Sequence, residues 1–421
     1  MRKINKKNST AATLRELVMD VSYLIPTNNG TLTSIYFDNA GTTPPFRTVV
    51  EELEKYTPWY KYISDKSRKA KFLSELYEES RISVKNFFNA DMEEDTVIYT
   101  KNTTEAINIL SNVICQQNAE TKPIVITTYM EHLSNYLPWK FRCDTVLVDV
   151  EKNGRLSMSD LEEKLDRYKG RVKLVAVAGA SNVTGYINPI YEIARMAHLH
   201  NAEILVDAAQ LMQHRRIDMH PEDVMESIDY IAFSAHKTYA PFFTGALVGN
   251  KHALNMGYPL CFGAGITELV TDQEVILKKS PQRYEAGSNN ILGVIALATA
   301  IQTMIRVHMD VIKKHESELL SYAMRQMKEN PRVILYEDSE NLEDQVPIIA
   351  FNVEGKKPEE TARYLYENYG IITKNGYCGA DLYVKKLVEG SPYTGIVRIS
   401  LGLYNQDFEI DRLIKALKSF Q

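Results

Sequence analysis

The feature that most constrains the fold is an alternation of short strand-like runs with segments of helical period. The strand-like runs are rich in β-branched residues and lie at Thr96–Thr100, Ile124–Thr128, Asp144–Val150, Val172–Ala178, Glu203–Val206 and Tyr230–Ser234. Segments with apolar residues every three or four positions separate several of them, as at Thr104–Cys115 and Pro189–His200. Strand, helix and strand in succession predict an α/β fold, with a mainly parallel sheet flanked by helices.

The pattern changes near Asn289, and the change predicts a second, smaller domain. About forty residues from this point keep a helical period, which predicts two helices or one kinked helix. Shorter strands and two further helices follow at Val333–Tyr336, Ile348–Val353, Lys357–Tyr369, Val397–Ser400 and Asp407–Phe420. Because 421 residues exceed one simple core, we expect a large domain over residues 35–300 and a small α+β domain over 301–421, with an N-terminal segment, 1–34, packed on the small domain.

Composition limits the classes of partner that we expect and indicates the cellular compartment. The net charge is −5 and no long basic block occurs, so we expect no nucleic-acid partner. No stretch reaches the roughly 18 apolar residues that span a bilayer, and Met1–Thr13 lacks the apolar core of a secretory signal, so we expect a cytoplasmic protein without a membrane partner. The four cysteines, Cys115, Cys143, Cys261 and Cys378, match no zinc spacing, so we expect free thiols and no metal site.

Polar residues at the ends of two strand-like runs indicate one chemistry. The run that ends at Val206 continues into Asp207 and Gln210, and the run that ends at Ser234 continues into His236 and Lys237. Because ligands of open α/β sheets bind beyond the carboxyl ends of strands, these five residues should converge on one crevice. A lysine beside an acid there can hold an aldehyde cofactor as a Schiff base, while the carboxylate keeps a pyridine nitrogen protonated. For either residue alone, an exposed lysine or a helix-capping acid is the plainer interpretation.

Three other strand ends supply residues that suit the same crevice. Thr103 and Thr104 open a helix, where hydroxyls and free N–H groups can bind a phosphate, or can serve only as a cap. His132 follows another run and can stack on a flat ring, or can be an ordinary loop histidine. Asn182 follows the run Val172–Ala178 and is expected to point into the same crevice.

Motifs spread over nearly the whole chain carry a family resemblance. They are Tyr36-Phe-Asp-Asn-Ala-Gly-Thr-Thr-Pro44, Asn-Thr-Thr-Glu-Ala106, Met-Glu-His132, Val-Asp-Ala-Ala-Gln210, Ser-Ala-His-Lys237, Arg283-Tyr-Glu-Ala-Gly-Ser-Asn289 and Val-Arg398-Ile-Ser-Leu-Gly-Leu-Tyr-Asn405. Together they resemble the fold-type I enzymes of aminotransferase class V, which use pyridoxal 5'-phosphate. Within that family the chain is most similar to the cysteine desulfurase and selenocysteine lyase branch.

The resemblance assigns roles to the residues in these motifs. It implies pyridoxal 5'-phosphate as the cofactor, bound by Thr103, Thr104, His132, Asn182, Asp207, Gln210, Ser234, His236 and Lys237. Lys237 and His132 are catalytic by this comparison. Ser288 stands where the family completes the neighbouring subunit's phosphate site, which implies a homodimer. The resemblance also implies that Arg398 binds the substrate carboxylate, with Ala40, Gly41 and Asn182 beside it; a guanidinium fork fits a carboxylate bidentately.

Cys378 stands where the family carries the cysteine that attacks the substrate sulfur. This role requires a thiolate, so we expect a partly exposed thiol with a lowered pKa. The surrounding loop departs from the family pattern, because Thr373, Lys374 and Tyr377 occupy positions where arginine and histidine are usual. The connection from Cys378 to Arg398 is also longer than in standard desulfurases.

The resemblance implies an enzyme that converts L-cysteine to L-alanine, carries the sulfur as a persulfide on Cys378 and passes it to a sulfur-acceptor protein. A class V aminotransferase, or a C–S lyase that acts by β-elimination on a related amino acid, is the alternative on the same scaffold. A third interpretation is a catalytically idle scaffold, against which the presence of Lys237, Asp207 and Arg398 argues.

Overall fold

A computed structural model of the chain describes residues 12–62, 67–116, 122–337 and 342–420. The helices are α1 (residues 12–16), α2 (Arg47–Tyr56), α3 (Arg68–Phe88), α4 (Thr103–Gln116), α5 (Leu137–Arg142), α6 (Met158–Arg167), α7 (Ile190–Leu199), α8 (Lys251–Met256), α9 (Ile291–Val307), α10 (Met309–Lys328), α11 (Pro358–Tyr369), α12 (Asp381–Leu387) and α13 (Asp407–Ser419).

The strands are short, as the alternation of the sequence predicts. They are β1 (Leu24–Thr27), β2 (Gly30–Thr33), β3 (Ile35–Tyr36), β4 (Asp95–Thr100), β5 (Ile124–Thr128), β6 (Asp144–Val148), β7 (Val172–Ala178), β8 (Glu203–Asp207), β9 (Tyr230–Ser234), β10 (Gly245–Asn250), β11 (Thr267–Val270), β12 (Val275–Leu277), β13 (Val333–Leu335), β14 (Ile348–Val353), β15 (Ile371–Ile372), β16 (Lys374–Gly376) and β17 (Ile396–Ser400).

A seven-stranded sheet forms the centre of the chain. Its spatial order is β4-β10-β9-β8-β7-β5-β6, and the five strands from β9 to β6 run parallel. Strand β10 pairs antiparallel with both of its neighbours. Successive side chains leave a strand on opposite faces, so Leu205 packs into one core with α4 and Val206 into the other with α3 and α7. The α/β fold predicted from the alternation is confirmed.

A four-stranded sheet of order β13-β14-β17-β16 lies beyond the long helices and has its own apolar core. The predicted helical stretch is confirmed as α9 and α10, which meet at His308 with a bend of 79°. His308 has a φ of 69°, outside the helical region, and this breaks the run. Within the described residues no single helix is long and apolar enough to cross a membrane, although the bent pair reaches the length and composition together.

The described part of the N-terminal segment contacts both units. Arg15 donates to Glu409 at 3.0 Å, and the backbone N–H of Asn28 donates to the carbonyl of Glu367 at 2.7 Å. Val18 also pairs with Phe46 beside α2. The domain boundaries at residues 34 and 300 therefore stay predictions, and residues 1–11 lie outside the described residues.

The expectation of four free thiols is wrong for two of them. Cys115, near the end of α4, forms a disulfide with Cys143, which directly precedes β6, and their Cα atoms lie 6.4 Å apart. These residues are 28 positions apart in the chain, and the packing of α4 beside the edge of the sheet brings them together. The number and spacing of cysteines in the sequence do not reveal which of them lie close together in the fold. Cys261 and Cys378 are free thiols.

Candidate functional site

The carboxyl ends of the central strands open into one crevice. The residues that line it are Ala40, Gly41, Asn102, Thr103, Thr104, His132, Ser134, Ala178, Ala180, Asn182, Asp207, Ala209, Gln210, Ser234, His236, Lys237, Lys374, Cys378 and Arg398. Every site residue predicted from the sequence is in this set except Ser288. Because β5, β7, β8 and β9 run parallel, their ends place these side chains at the same edge of the sheet.

Lys237 and Asp207 lie at the floor of the crevice, at the ends of neighbouring strands. Burial lowers the pKa of Lys237 to about 8, although the charge of Asp207 opposes this shift. Burial raises the pKa of Asp207, while a hydrogen bond of 3.0 Å from the backbone N–H of Ala209 favours its charged form. The pair can therefore present a reactive amine and a carboxylate to one ligand.

The start of α4 forms a second corner of the crevice. Asn102 caps this helix, since its Oδ1 accepts a hydrogen bond of 3.0 Å from the N–H of Glu105. The hydroxyls of Thr103 and Ser234 lie 2.6 Å apart, and that of Thr104 lies 2.6 Å from the hydroxyl of Ser134. The sequence left open whether Thr103 and Thr104 only cap α4. In the structure Asn102 provides the cap. The threonine hydroxyls stand with the helix N-terminus, an arrangement that suits an anion.

His132 is a neutral imidazole with a defined tautomer. Its Nδ1 accepts the backbone N–H of Ser134 at 3.1 Å, so the ring proton is assigned to Nε2. Burial, together with the charges of Lys237 and Arg398, lowers the pKa of His132 to about 4. The pKa of His236 falls to about 4 as well, because of burial and of the neighbouring Lys237. Both rings are uncharged at neutral pH.

Cys378 follows β16 and is held against the crevice by its backbone. Its φ of 53° is left-handed, and its carbonyl accepts a hydrogen bond of 2.8 Å from Asn182 Nδ2. The expected low pKa is wrong, because burial raises the pKa of the thiol more than the charges of Arg398 and Lys374 lower it. The loop encloses the Cys378 thiol only in the folded structure, so the sequence motif could not predict this effect. The thiol is the resting form.

Arg398, on β17, is buried and forms contacts that sequence reasoning missed. Its Nη1 donates to the carbonyl of Asn182 at 2.9 Å, and its Nη2 donates to Asp38 Oδ1 at 2.5 Å. Its Nε has no hydrogen-bond partner among the described residues. Asp38 belongs to the first motif, two residues before Ala40, and its position in that motif could have indicated a role in the site.

Gln210 and the first motif contact each other directly. Gln210 Nε2 donates to the carbonyl of Ala40 at 2.6 Å. A Cβ atom on Gly41 would lie 2.8 Å from Asp38 Oδ2, so a glycine is required for the carboxylate to pack there. The turn that follows β3 therefore brings Ala40 and Gly41 over the crevice, as predicted for substrate contacts. Their contact with a substrate stays a prediction.

Ser288 lies apart from this crevice in its own chain. It lines a separate pocket with Cys261, Lys101, Glu105 and Phe243, among others. Its predicted role concerns a neighbouring subunit, so this placement leaves that role a prediction.

Glu131 is a second residue that sequence reasoning missed, although it directly precedes His132. It is buried and accepts hydrogen bonds from the Thr128 hydroxyl at 2.6 Å, the Ala178 N–H at 3.0 Å and Asn135 Nδ2 at 2.6 Å. Burial raises its pKa to about 8. It ties the ends of β5 and β7 together beneath His132.

The chemistry of the lining fits pyridoxal 5'-phosphate. The crevice offers an amine for an aldehyde, a buried carboxylate for a ring nitrogen and a neutral imidazole for a ring face. Hydroxyls and a helix N-terminus suit a phosphate. The buried Nε of Arg398 still lacks an acceptor among the described residues, as expected for a guanidinium that awaits a carboxylate.

Comparisons with known proteins agree with this chemistry. A family model described as aminotransferase class-V matches residues 35–413. The chain is 32% identical to a probable cysteine desulfurase of Halalkalibacterium halodurans, over 91% of this chain and 92% of that protein. It is 32% identical to a cysteine desulfurase of Dickeya dadantii, over 91% and 90%.

Solved structures are similar over the same span. The apo cysteine desulfurase of Thermococcus onnurineus has a TM-score of 0.82 at 30% identity and covers 91% of this chain and 94% of its own. An Escherichia coli cysteine desulfurase in an S-sulfonic acid form has a TM-score of 0.81 at 25% identity, with the same coverage.

Proposed function

The chain belongs to the aminotransferase class-V family, and we propose that it is a pyridoxal 5'-phosphate-dependent cysteine desulfurase that converts L-cysteine to L-alanine. The observation that carries this proposal is the convergence of Lys237, Asp207, Arg398 and Cys378 on one crevice. An amine, its partner acid, a carboxylate-binding cation and a thiol are the groups that this reaction needs. Relatives that are named cysteine desulfurases and align over nine tenths of the chain support it.

The residues of the crevice divide into those that hold the cofactor and those that face the substrate. Thr103, Thr104, Ser234 and the α4 N-terminus would hold the phosphate, while Asp207, Gln210, His132, His236 and Asn182 would surround the ring. Bound in this crevice, pyridoxal 5'-phosphate supplies an aldehyde and an electron-withdrawing ring that stabilises negative charge at the substrate's α-carbon. Lys237 would bind the aldehyde.

The steps of the reaction assign one role to each of Arg398, Lys237 and Cys378. Arg398 binds the substrate carboxylate and orients the amino acid. Lys237, with a pKa near 8, exists partly as the neutral amine at neutral pH and can remove the α-proton. Cys378 Sγ then attacks the substrate sulfur. The new S–S bond forms as the C–S bond breaks, and the β-carbon gains a proton, which gives alanine and a Cys378 persulfide.

Cys378 must lose its proton before it attacks. The Nε2 of His132 lies beside this loop, because a Cβ atom on Gly379 would be 2.4 Å from it. We propose that His132, neutral and protonated at Nε2, is a hydrogen-bond donor at this position and stabilises the Cys378 thiolate, while the thiol proton passes to solvent.

The test of the proposal compares Cys378→Ala with Cys261→Ala, since these two positions carry the free thiols. We expect Cys378→Ala to bind the cofactor normally, by its visible absorbance, and to lose alanine release and persulfide formation from L-cysteine. Cys261→Ala should retain both. Full alanine release by Cys378→Ala would exclude the nucleophile role.

The raised pKa of Cys378 favours one alternative on the same scaffold. A C–S lyase releases sulfur by β-elimination and needs no thiolate. Pyruvate, ammonia and sulfide in place of alanine and persulfide would identify that reaction. Conversion of the cofactor to its amine form by an amino acid would instead identify an aminotransferase.

We further propose a cytoplasmic homodimer that passes sulfur to an acceptor protein. Ser288 lies outside its own crevice and shares a pocket with the exposed Phe243, and Phe242 and Phe262 are exposed as well; these observations support a subunit interface. Sedimentation of the holoenzyme should give twice the chain mass of 48.0 kDa. A monomer with full cofactor occupancy would contradict the dimer.

A further inference from the structure

Asp38 is an acid bound to the one arginine of the crevice. Its Oδ1 accepts a hydrogen bond of 2.5 Å from Arg398 Nη2, across 360 positions of sequence. The Arg398 side chain is 3% exposed and that of Asp38 is 19% exposed, so the ion pair is largely removed from solvent. Removal of one partner from an ion pair in this setting costs more than it does at the surface, because the other charge is left buried and unpaired.

The surrounding backbone fixes where the carboxylate of Asp38 lies. Asp38 pairs with Ser400 in a parallel bridge, and its carbonyl accepts the N–H groups of Gly41 at 3.0 Å and Thr42 at 3.3 Å. Any side chain at Gly41 would collide with the carboxylate. Strand β3 directly precedes the Asp38 region, and strand β17 contains Arg398. These two strands therefore hold Asp38 and Arg398 next to each other.

This pairing leaves part of the guanidinium available. Nη1 is taken by the carbonyl of Asn182 and Nη2 by Asp38, while Nε is buried with no acceptor among the described residues. The side chain thus has two fixed contacts that hold its plane. It retains N–H donors for a ligand carboxylate.

Three charged side chains lie at the end of the crevice that holds Cys378 and Arg398. Arg398 and the exposed Lys374 line the crevice with Cys378, and Asp38 pairs with Arg398. The same three charges act on the Cys378 thiol, which is the group proposed to meet the substrate side chain. Asp38 reduces the net charge there from +2 to +1, a count taken from these three residues.

We propose that Asp38 is a positioning and specificity residue, which orients Arg398 and makes this end of the crevice select amino acids with one carboxylate over those with two. It acts through Arg398 and not on the reacting atoms. The single carboxylate of the ligand's backbone matches the net charge of +1. A second carboxylate, in the ligand's side chain, would be repelled by the negative charge of Asp38. The inference rests on the proposed function for the identity of the substrate class.

The test measures binding of an isosteric pair, L-asparagine and L-aspartate, to the holoenzyme by calorimetry. Wild-type protein should bind L-aspartate more weakly than L-asparagine. In Asp38→Asn, which keeps an oxygen acceptor for Arg398 but removes the charge, we expect the Kd ratio of L-aspartate to L-asparagine to fall by about tenfold. An unchanged ratio would overturn the specificity role.

Two further variants separate orientation from charge. Asp38→Ala also removes the acceptor, so its KM for L-cysteine should rise about tenfold with little change in kcat, and Asp38→Asn should restore most of that loss. Equal losses of kcat in both variants would overturn the positioning role. Asp223→Asn is the matched control, because Asp223 also pairs with an arginine, Arg195 at 2.6 Å, but on the surface; it should leave both readouts unchanged.

Failure of this inference and failure of the proposed function are distinguishable. Binding of the asparagine and aspartate pair requires no desulfuration, so the ratio is measurable whichever reaction the enzyme performs. Alanine release by the wild-type protein tests the function alone.

Discussion

At the scale of single residues, enclosure sets the protonation of the groups in the crevice. Lys237, His132 and His236 all have lowered pKa values, and burial is the largest cause for each. Loss of hydration disfavours the charged form of a base. Near neutral pH the crevice therefore holds both imidazoles uncharged and part of the Lys237 amine neutral, as needed for groups that accept protons or attack an aldehyde.

The lowered pKa of Lys237 predicts how the apoprotein captures its cofactor. Only the neutral amine attacks an aldehyde, and a pKa near 8 makes about a tenth of it neutral at pH 7 and about half at pH 8. We expect the capture rate of pyridoxal 5'-phosphate, followed by stopped-flow absorbance, to rise about fivefold over that unit and to level off above about pH 9. A rate still rising tenfold per unit at pH 9 would indicate an unshifted lysine.

Glu131 predicts a pH dependence of stability in the apoprotein. Its pKa is raised from 4.5 to about 8, so the folded state binds more protons than the unfolded state between these values. Its contribution is therefore fully present below about pH 4.5 and is lost as the pH rises towards 8. We expect the free energy of unfolding to fall by about 5 kcal/mol over this range from this group.

Glu131→Gln isolates this effect, because it removes the titrating group. Urea unfolding at a series of pH values should give a flatter profile for the variant than for the wild type. Its absolute stability should be lower, since the new amide faces Asn135 Nδ2, a donor. Parallel profiles for the two proteins would contradict the raised pKa.

At the scale of elements, the loop between β16 and α12 places Cys378 by close packing. The carbonyl of Gly379 accepts the N–H of Leu133 at 2.7 Å, and Gly379 has a φ of 73°. Tyr383, on α12, donates to the carbonyl of Gly154 at 2.6 Å. The loop is therefore attached to the large sheet unit at two positions that follow the thiol in the chain.

Gly379→Ala should displace this loop, because the new Cβ would lie 2.4 Å from His132 Nε2. We expect normal cofactor binding, at least tenfold slower alanine release and faster reaction of the Cys378 thiol with a disulfide reagent. Gly355→Ala is a matched control, since Gly355 has the same φ of 73° with no atom within 4 Å of its Cβ position. Similar activity losses in both variants would assign the effect to backbone strain alone.

Most elements of the fold could be predicted from the sequence, because their signals are local. The runs Ile124–Thr128 and Val172–Ala178 are β5 and β7 without adjustment. Sequence reasoning did not identify β10, whose Gly245-Ala-Leu-Val-Gly-Asn250 is short and rich in glycine. Its antiparallel pairing with β9 and β4 is a long-range property that no local period encodes.

At the scale of the whole molecule, α10 joins the two cores. Ile312 packs into the core of the large sheet, whereas Leu319 and Leu320 pack into that of the small sheet. Between them lies Glu316, which is fully buried and accepts His214 Nδ1 at 2.9 Å. Arg215 Nη1 lies 3.8 Å from the same carboxylate. A buried ion pair thus fixes the contact between the units.

Removal of Glu316 should destabilise the protein as a whole. Glu316→Ala leaves His214 and Arg215 buried without their acid, and we expect a loss of about 3–5 kcal/mol in the free energy of unfolding. Urea unfolding of this variant is compared with that of Lys314→Ala, an exposed position on the same helix. A loss below about 1 kcal/mol would mean that the pair contributes little.

By itself the sequence determined most strands and helices in their order, the family resemblance, and most residues of the crevice. Hydrophobic period is a property of neighbouring residues, and polar residues that follow parallel strands must meet at one edge. The tertiary structure decided the pairing of Asp38 with Arg398, the disulfide of Cys115 with Cys143, and the raised pKa of the Cys378 thiol. These three features depend on distances between residues that are far apart in the chain and on the exclusion of water. Neither can be derived from the order of residues.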